Sequence, residues 1–225
     1  MKTIHTDLIA YYNERADEYD DLYTGTMPTI DKPDLYTTDV KKVARLVSQF
    51  NSKDIIDIGC GTGYWLSFYG ENASHILLID EAVNMLEECR KRVRKLGMTD
   101  KCDFTQGNFL TVQFGGRHFD GAVIGFVLSH VRVADEKLFF HRLDTILARH
   151  AQILIIDGVW SATRARCRNK DGMQERTLSD GRVFSIYKRY FTLDELSKLM
   201  LQYGFEMTSS YAGEVFLAAI GVRSA

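Results

Sequence analysis

From about residue 40 onward, the apolar residues of the chain alternate between two spacings. In four stretches they recur every three or four positions, which is typical of amphipathic helices: 40–50, 82–96, 139–147 and 196–200. Short continuous apolar runs predict buried strands at 55–58, 76–79, 102–105, 121–128 and 153–156. Thr192 and Glu195 have the spacing of a capping box, so the last helix is predicted to begin there.

Buried strands that alternate with helices are typical of an α/β fold, in which a mostly parallel sheet carries helices on both faces. Two later apolar stretches, 205–211 and 215–222, flank Ala212 and Gly213 and predict a closing antiparallel hairpin. The segments 1–39 and 160–190 do not fit the alternation. Insertions beside the carboxyl ends of the strands cover the ligand crevice in such a fold.

These patterns predict a single domain over 1–225 with four parts. The parts are an N-terminal lid segment (1–39), a cofactor-binding core (40–159), a substrate-side insertion (160–190), and a closing helix with hairpin (191–225).

Composition removes several classes of protein. The net charge of −2 and pI of about 6.3 give no global positive field that would recruit nucleic acid. The first twenty residues lack the apolar core of a signal peptide, and the longest apolar runs, of about eight residues, are too short to span a membrane. The cysteines (60, 89, 102 and 167) form no CxxC motif, which argues against zinc and redox dithiols. We therefore expect a cytoplasmic protein without a metal site and without a nucleic-acid or membrane partner.

A glycine-rich loop, Asp57-Ile-Gly59-Cys-Gly61-Thr-Gly63, directly follows the first buried strand. Glycines there allow a tight turn and a close approach of the backbone to a ligand. A dinucleotide fingerprint would require glycine or alanine at position 64, where the chain has Tyr64, and no P-loop motif is present. NAD and nucleoside triphosphates are therefore disfavoured.

An acidic residue followed by GxGxG resembles the first motif of the class I S-adenosylmethionine-dependent methyltransferases. Asp80, at the end of the next strand, lies where an acid accepts both ribose hydroxyls. Asn108 lies where that family has an aspartate beside the adenine, and its amide both donates and accepts hydrogen bonds. The stretch 119–130 resembles the fourth strand and the loop that faces the methyl donor. The stretch 11–20 resembles the N-terminal helix that closes over the methionine end of the cofactor.

This resemblance implies a Rossmann-like fold with a seven-stranded sheet and S-adenosylmethionine as the cofactor. The spacing of Tyr12, Arg15 and Tyr19 predicts one shared helical face over the cofactor. The cofactor-binding residues implied are Tyr12, Arg15, Tyr19, Asp57, Gly59, Cys60, Gly61, Gly63, Tyr64, Trp65, Asp80, Glu81, Met85, Gly107, Asn108, Phe109, Gly125 and Phe126. The chain departs from the family at Asn108 and at 149–151, where Arg-His-Ala replaces the usual Pro-Gly-Gly in the loop before the fifth strand.

The substrate side of the chain favours a small molecule. Residues 125–128 read Gly-Phe-Val-Leu, where enzymes of this class that methylate nucleic-acid amino groups carry Asn/Asp-Pro-Pro-Tyr/Phe. The stretch 163–189 holds eight basic and three acidic side chains, a local charge of +5. Such a run is either a solvated face or a lid that gathers an anionic substrate.

The segment 175–188 resembles a stretch of phosphonate O-methyltransferases of the dehydrophos type. That resemblance implies that Arg176 and Lys188 hold the anionic group being methylated, with Tyr23 as the assisting aromatic hydroxyl. Asp180-Gly181 between them is a hairpin-turn signal. His130 is a candidate general base for a hydroxyl or amine acceptor, although a packing or loop-fixing role is favoured for it.

The leading prediction is a methyltransferase that methylates an oxygen of a small anionic acceptor such as a phosphonate, phosphate or carboxylate. Three alternatives remain open. The chain could methylate nitrogen or carbon of another metabolite, it could bind the cofactor without turnover, or it could bind RNA. The oligomeric state is not predicted.

Overall fold

The computed structural model describes residues 2–27 and 30–224, so Met1, Pro28, Thr29 and Ala225 of the predicted lid and closing segments lie outside the described residues. The helices are α1 (Lys2–Glu14), α2 (Asp21–Thr24), α3 (Pro33–Val47), α4 (Leu66–Tyr69), α5 (Val83–Lys95), α6 (Glu136–Ile146), α7 (Ala162–Ala165) and α8 (Leu193–Gln202). The strands are β1 (Asp54–Ile58), β2 (His75–Asp80), β3 (Cys102–Gln106), β4 (Phe119–Gly125), β5 (Leu147–Gly158), β6 (Asp171–Thr177), β7 (Val183–Arg189), β8 (Phe205–Ala212) and β9 (Phe216–Arg223).

Seven strands form one sheet in the order β3-β2-β1-β4-β5-β9-β8. The first five are parallel, and β9 runs antiparallel to both β5 and β8. This arrangement confirms the predicted Rossmann-like sheet with its closing hairpin. The strand order reverses between β1 and β4, which is where ligands bind in open α/β sheets.

Alternate residues of each central strand pack on opposite faces of the sheet. Ile55 packs among residues of α3, α4 and α5, whereas Ile56 packs among residues of α6 and α8. Both side chains are fully buried. None of the helices within the described residues is long and apolar enough to cross a membrane.

Most helix and strand boundaries differ from the predicted ones by a few residues. Helix α3 begins at Pro33 rather than near residue 40, because proline suits the first helical position and removes no hydrogen bond there. Strand β4 ends at Gly125, since Phe126 adopts a left-handed conformation (φ 60°) that a strand cannot continue. The capping box of Thr192 and Glu195 is confirmed, with both reciprocal hydrogen bonds present.

The prediction of a loop at 149–151 is wrong, because these residues lie inside β5. The pairing of β4 with β5 shifts register between Phe119 and Gly121, and His150 there has φ 59°. A bulge therefore occupies the place of a loop, and the exposed His150 takes the left-handed conformation that glycine usually provides.

The prediction that Tyr12, Arg15 and Tyr19 share one helical face is also wrong. Helix α1 ends at Glu14, and turns occupy residues 15–20. Tertiary contacts account for this ending, because Asp20 accepts a hydrogen bond from the Thr62 hydroxyl and thereby ties the turn to the glycine loop. The three side chains still meet, since the Arg15 guanidinium lies 4.8 Å from the centre of the Tyr19 ring and the Tyr12 and Tyr19 rings are 6.0 Å apart.

The substrate-side insertion folds into a separate two-stranded antiparallel ribbon, β6–β7, with its turn at Asp180-Gly181 as predicted. Arg176 pairs with Phe184 and Lys188 pairs with Gly172. Because side chains alternate along a strand and paired residues share a face, Arg176 and Lys188 lie on the same face of the ribbon. Helix α1 packs against the ribbon through a small apolar cluster of Tyr11, Leu178 and Ile186.

Candidate active site

A cavity of about 290 Å³ opens at the carboxyl ends of β1, β2 and β4. Helix α1 contributes Leu8, Ile9 and Tyr12 to its wall, so the N-terminal segment covers the cavity. Thirteen of the residues singled out from the sequence line it: Tyr12, Tyr19, Gly59, Gly61, Asp80, Glu81, Met85, Gly107, Asn108, Phe109, Gly125, Phe126 and His130.

Nine other predicted site residues do not line this cavity: Arg15, Tyr23, Asp57, Cys60, Gly63, Tyr64, Trp65, Arg176 and Lys188. Ten residues line the cavity but were not predicted from the sequence to belong to the site: Leu8, Ile9, Ile58, Ile79, Ala82, Leu110, Val127, Val131, Asp135 and Phe139. All but Asp135 are apolar, and an apolar wall residue looks the same in a sequence as a core residue. Adjacency to the ends of the strands is the one signal that could have found several of them.

The glycine loop presents its backbone to the cavity at Gly59 and Gly61, which have φ of 65° and 55°. A Cβ built on Gly61 would meet only the Tyr19 ring, at 3.9 Å. A side chain at this position would therefore fill the cavity. Gly63 differs, because a Cβ there would lie 2.7 Å from the sulfur of Cys89 on α5. The glycine at 63 thus allows close helix packing.

Asp80 joins the end of β2 to the glycine loop. Its Oδ2 accepts a hydrogen bond from the Gly61 amide at 2.9 Å, and its Oδ1 accepts one from the Ala82 amide at 2.8 Å. Burial raises the pKa of Asp80 to about 6, although these backbone amides oppose the shift. Each carboxylate oxygen has about two acceptor sites, so Asp80 can also accept from ligand hydroxyls.

Beside Asp80, the cavity wall combines the polar pair Glu81 and Asn108 with the apolar residues Met85 and Phe109. The Asn108 amide donates to Glu81 at 3.1 Å, and its oxygen accepts from the Leu110 amide at 2.8 Å. Met85 and Phe109, both buried, form the apolar wall. An acid that can take hydroxyls, a polar amide and apolar walls suit an adenosine group, so the residues present fit the cofactor implied by the sequence.

Several predicted site residues lie beside the glycine loop and do not line the cavity. The Asp57 carboxylate accepts from the Tyr69 hydroxyl at 2.5 Å, and burial raises the pKa of Asp57 to about 7. Tyr23 stacks on Tyr64 with ring centres 4.0 Å apart and also contacts Trp65. The Tyr23 ring also lies 5.8 Å from the Tyr19 ring and 5.9 Å from the Phe126 ring, and both of these residues line the cavity.

Arg15 is a buried guanidinium without a carboxylate partner among the described residues. Its side chain is 6% exposed and donates to the Tyr11 hydroxyl and to the sulfur of Met27. Its Nε has no hydrogen-bond partner within the described part of the chain. A buried cation in this state is suited to receive an anion.

The N-terminal segment is fastened on two sides. Asn13 accepts two hydrogen bonds of 3.0 Å from Asn84 of α5, one from the backbone amide and one from the side-chain amide. On the other side, Glu14 forms an ion pair of 2.6 Å with Arg182 at the tip of the ribbon. The segment therefore bridges the cofactor core and the insertion across the cavity.

His130 uses both ring nitrogens. Its Nδ1 lies 2.7 Å from the carbonyl oxygen of Tyr187, which can only accept, so Nδ1 carries the proton. Its Nε2 lies 2.7 Å from the Tyr12 hydroxyl and accepts from it. Burial lowers the pKa of His130 well below its usual value, and Lys188 lowers it further. The imidazole is thus neutral and links the N-terminal segment to the ribbon.

Basic side chains of the insertion gather beyond Phe126. Arg176 donates to the Tyr190 hydroxyl at 3.0 Å and to Gln174 at 2.9 Å, and Arg164 donates to two backbone carbonyls. Within the described residues, neither arginine has a carboxylate partner. Burial would raise the pKa of Tyr190, but Arg164, Arg176 and Lys188 lower it below its usual value. The cluster is therefore strongly positive.

Comparisons with known proteins agree with this geometry. Residues 55–150 match a family model described as a methyltransferase domain. The chain is 31% identical over 134 residues to the ubiquinone/menaquinone biosynthesis C-methyltransferase UbiE of Rhodopseudomonas palustris, an alignment that covers 58% of this chain and 51% of that protein. The chain thus spans about half the length of this curated relative.

Solved structures of methyltransferases resemble the whole chain, and two of them illustrate the range. The DhpI–SAH complex superposes with a TM-score of 0.77 at 22% identity and covers 100% of this chain and 98% of that one. The 1,6-didemethyltoxoflavin-N1-methyltransferase of Burkholderia thailandensis has a TM-score of 0.64 at 15% identity and covers 98% and 89%. These similarities show the shared fold. Residues 55–150 thus match a methyltransferase domain, and the whole chain shares the fold of these solved methyltransferase structures.

Proposed function

We propose that this protein transfers the methyl group of S-adenosylmethionine to an anionic oxygen of a small metabolite, a phosphonate, phosphate or carboxylate. The observation that carries the proposal is the positive cluster of Arg164, Arg176 and Lys188 beside the cavity. Arg164 and Arg176 are half-buried and have no carboxylate partner within the described residues, and Asp157 is the one carboxylate close to Lys188. Such an excess of positive charge away from water is costly unless a ligand supplies the negative charge.

The cavity residues supply the cofactor site. Asp80 would accept the ribose hydroxyls, Asn108 would bond the adenine edge, and Arg15 would pair with the methionine carboxylate. The cofactor contributes a methyl group made electrophilic by its sulfonium. Tyr12 and Tyr19, which line the cavity from the lid, would close over it and exclude water.

Arg176 and Lys188 are the proposed clamp for the acceptor anion. They share one face of the ribbon, and the Lys188 Nζ lies 5.6 Å from the centre of the Phe126 ring, which lines the cavity. A guanidinium offers a planar fork and an ammonium offers a point charge, a pair that suits an anionic oxygen group. Burial raises the pKa of Tyr23, so its hydroxyl stays protonated and is a donor.

An anionic oxygen needs orientation and desolvation more than deprotonation. This agrees with His130, whose ring nitrogens are both engaged in hydrogen bonds. An acceptor that must first lose a proton, such as a carbon acid or a protonated amine, would instead require a base at this place. Relatives that carry C- and N-methyltransferase names make those reactions the principal alternative, and binding of the cofactor without turnover is the other.

The experiment is a screen of acceptors with labelled S-adenosylmethionine, grouped by anion type, followed by alanine variants on the best acceptor. We expect Arg176→Ala and Lys188→Ala each to lower kcat/KM roughly 10- to 100-fold, from about 1.5–3 kcal/mol per charge-assisted contact. Arg176→Lys should not rescue, because the fork is lost. Arg166→Ala is the matched control, since Arg166 is an exposed arginine of the same insertion.

Sulfate should compete with the acceptor and leave S-adenosylmethionine affinity unchanged. Full activity of both Arg176→Ala and Lys188→Ala would show that the basic stretch is an ordinary solvated face and does not bind the acceptor. Turnover confined to uncharged carbon or nitrogen acceptors would favour the alternative reactions.

A further inference from the structure

Asp157 is a fully buried carboxylate at the carboxyl end of β5. Its Oδ1 accepts from the Gly158 amide at 2.7 Å, and its Oδ2 accepts from the Ser129 amide at 3.0 Å. The Lys188 Nζ lies 3.5 Å from Oδ1. Two backbone amides thus fix the carboxylate, and one cation of the proposed clamp faces it.

Ser129 completes the arrangement around Lys188. The ammonium donates to the Ser129 hydroxyl, which in turn donates to the Phe126 carbonyl at 3.3 Å. Ser129 is fully buried, and Lys188 is 8% exposed. An ammonium has three N–H donors, and two of them are directed at Ser129 and Asp157. One remains for a ligand.

The charge of Lys188 depends on Asp157. Burial lowers the pKa of Lys188, and Arg176 and Arg164 lower it further, whereas Asp157 and Tyr190 raise it. The His130 ring is neutral, so it adds no negative charge that would stabilise the ammonium. Asp157 is the one carboxylate within ion-pair distance of Lys188 in the described part of the chain, so it is the principal group that keeps the ammonium charged.

The location of this group is suited to catalysis. Phe126 lines the cavity, contacts the Lys188 ammonium and has φ 60°, a conformation that costs free energy for a residue other than glycine. Strained residues of this kind concentrate at functional sites, where the surrounding structure holds them. The strained turn at 126–129 therefore connects the cofactor cavity to the Asp157–Lys188 pair.

We propose that Asp157 is a positioning residue for methyl transfer, which with Ser129 orients the Lys188 ammonium toward the acceptor's anionic oxygen and keeps it charged. This inference rests on the proposed function, because it assigns Lys188 to the acceptor. It assigns a role to a carboxylate that touches neither the cavity nor the solvent.

The test uses the full chain loaded with S-adenosylhomocysteine and the variant Asp157→Asn, which preserves size and removes the charge. The first readout is the pKa of Lys188, followed by NMR of labelled lysine side chains and assigned with Lys188→Ala. The second readout is the dissociation constant of sulfate, a dianion that does not titrate over the range used, measured from pH 6 to 10. Glu175→Gln is the control, since it removes one exposed charge from the other face of the same ribbon.

We expect Asp157→Asn to move the titration of Lys188 down by at least one pH unit and to move the loss of sulfate affinity down by the same amount. At a pH between the two pKa values, sulfate should bind about 10-fold more weakly, and a lower pH should restore it. Glu175→Gln should reproduce neither change. Ser129→Ala, which keeps the backbone amide, should weaken sulfate binding several-fold without moving the titration of Lys188. This variant is the alternative test if Asp157→Asn does not fold.

An unchanged Lys188 pKa in Asp157→Asn overturns the proposal, as does a shifted pKa with an unchanged sulfate profile. If Asp157→Asn does not fold, sulfate binding to Ser129→Ala at wild-type strength overturns it. Failure of the proposed function would look different. Lys188→Ala would then leave sulfate binding and anionic acceptors unaffected, while the Lys188 titration would still respond to Asp157→Asn.

Discussion

Asp80 is the residue whose replacement tests the cofactor site most directly. It lines the cavity, and it already accepts two backbone hydrogen bonds that connect β2 to the glycine loop. Its remaining acceptor sites are the ones proposed for the ribose hydroxyls. Asp80→Ala therefore removes both ligand contacts and loosens the loop, whereas Asp80→Asn keeps the shape and one acceptor oxygen.

The magnitude follows from the kind of bond lost. A hydrogen bond to a charged group contributes about 1.5–3 kcal/mol, so loss of two should cost about 3 kcal/mol or more. Each 1.4 kcal/mol is tenfold in affinity, so Asp80→Ala should weaken binding of S-adenosylhomocysteine by roughly 100-fold or more. Asp80→Asn should weaken it by roughly 10- to 100-fold.

The pH dependence gives an independent check. Because burial raises the pKa of Asp80 to about 6, the carboxylate is ionised above that pH and protonated below it. A protonated carboxyl loses part of its acceptor capacity. Affinity of the wild-type protein should therefore be full above pH 6 and fall as the pH drops through about 6, and the Asp80→Asn variant should not show this fall.

Isothermal titration calorimetry with S-adenosylhomocysteine between pH 5 and 8 measures both effects. Asp103→Asn is the matched control, because Asp103 is an exposed aspartate of the neighbouring strand that does not line the cavity. Circular dichroism must show that each variant is folded. An Asp80→Ala affinity within threefold of wild type would refute the assignment. It would also be refuted if the affinity of Asp80→Asn fell below pH 6 as the wild-type affinity does.

Two further predictions concern the loop and the lid. Gly61→Val should abolish S-adenosylhomocysteine binding in a folded protein, because the side chain would project into the cavity; Gly97→Ala, at a similar positive φ with open space around it, should bind normally. Binding by Gly61→Val at wild-type strength would contradict the proposed approach of the loop. Deleting residues 1–20 removes the fastenings to Asn84 and Arg182 and should leave the core folded, weaken cofactor affinity and stop turnover. A truncated protein that methylates at the normal rate would show that the segment is not a lid.

Local patterns in the chain are enough to predict the sheet and much of the cofactor side. The buried runs that become β1, β2 and β5 are continuous and apolar because parallel strands are covered on both faces. The glycine loop and Asp80 are also local signals, since the loop directly follows β1 and Asp80 is the last residue of β2. The capping box of α8 depends on two residues three positions apart.

Features that depend on distant contacts could not be predicted in this way. The end of α1 at Glu14 reflects what the following turn touches, and the bulge at His150 replaces a loop that the family pattern predicted. His130 and Tyr12 are 118 positions apart, yet their hydrogen bond removes the imidazole from the role of a free base.

The buried pair of Asp157 and Lys188 is the clearest case. From the sequence, Asp157 is one more acidic residue after an apolar run, and Lys188 is one of eight basic residues in the insertion. Folding brings the two within 3.5 Å and removes both from water. Charge in a sequence is only a count of groups, whereas its chemical effect depends on the distance and the burial that packing sets.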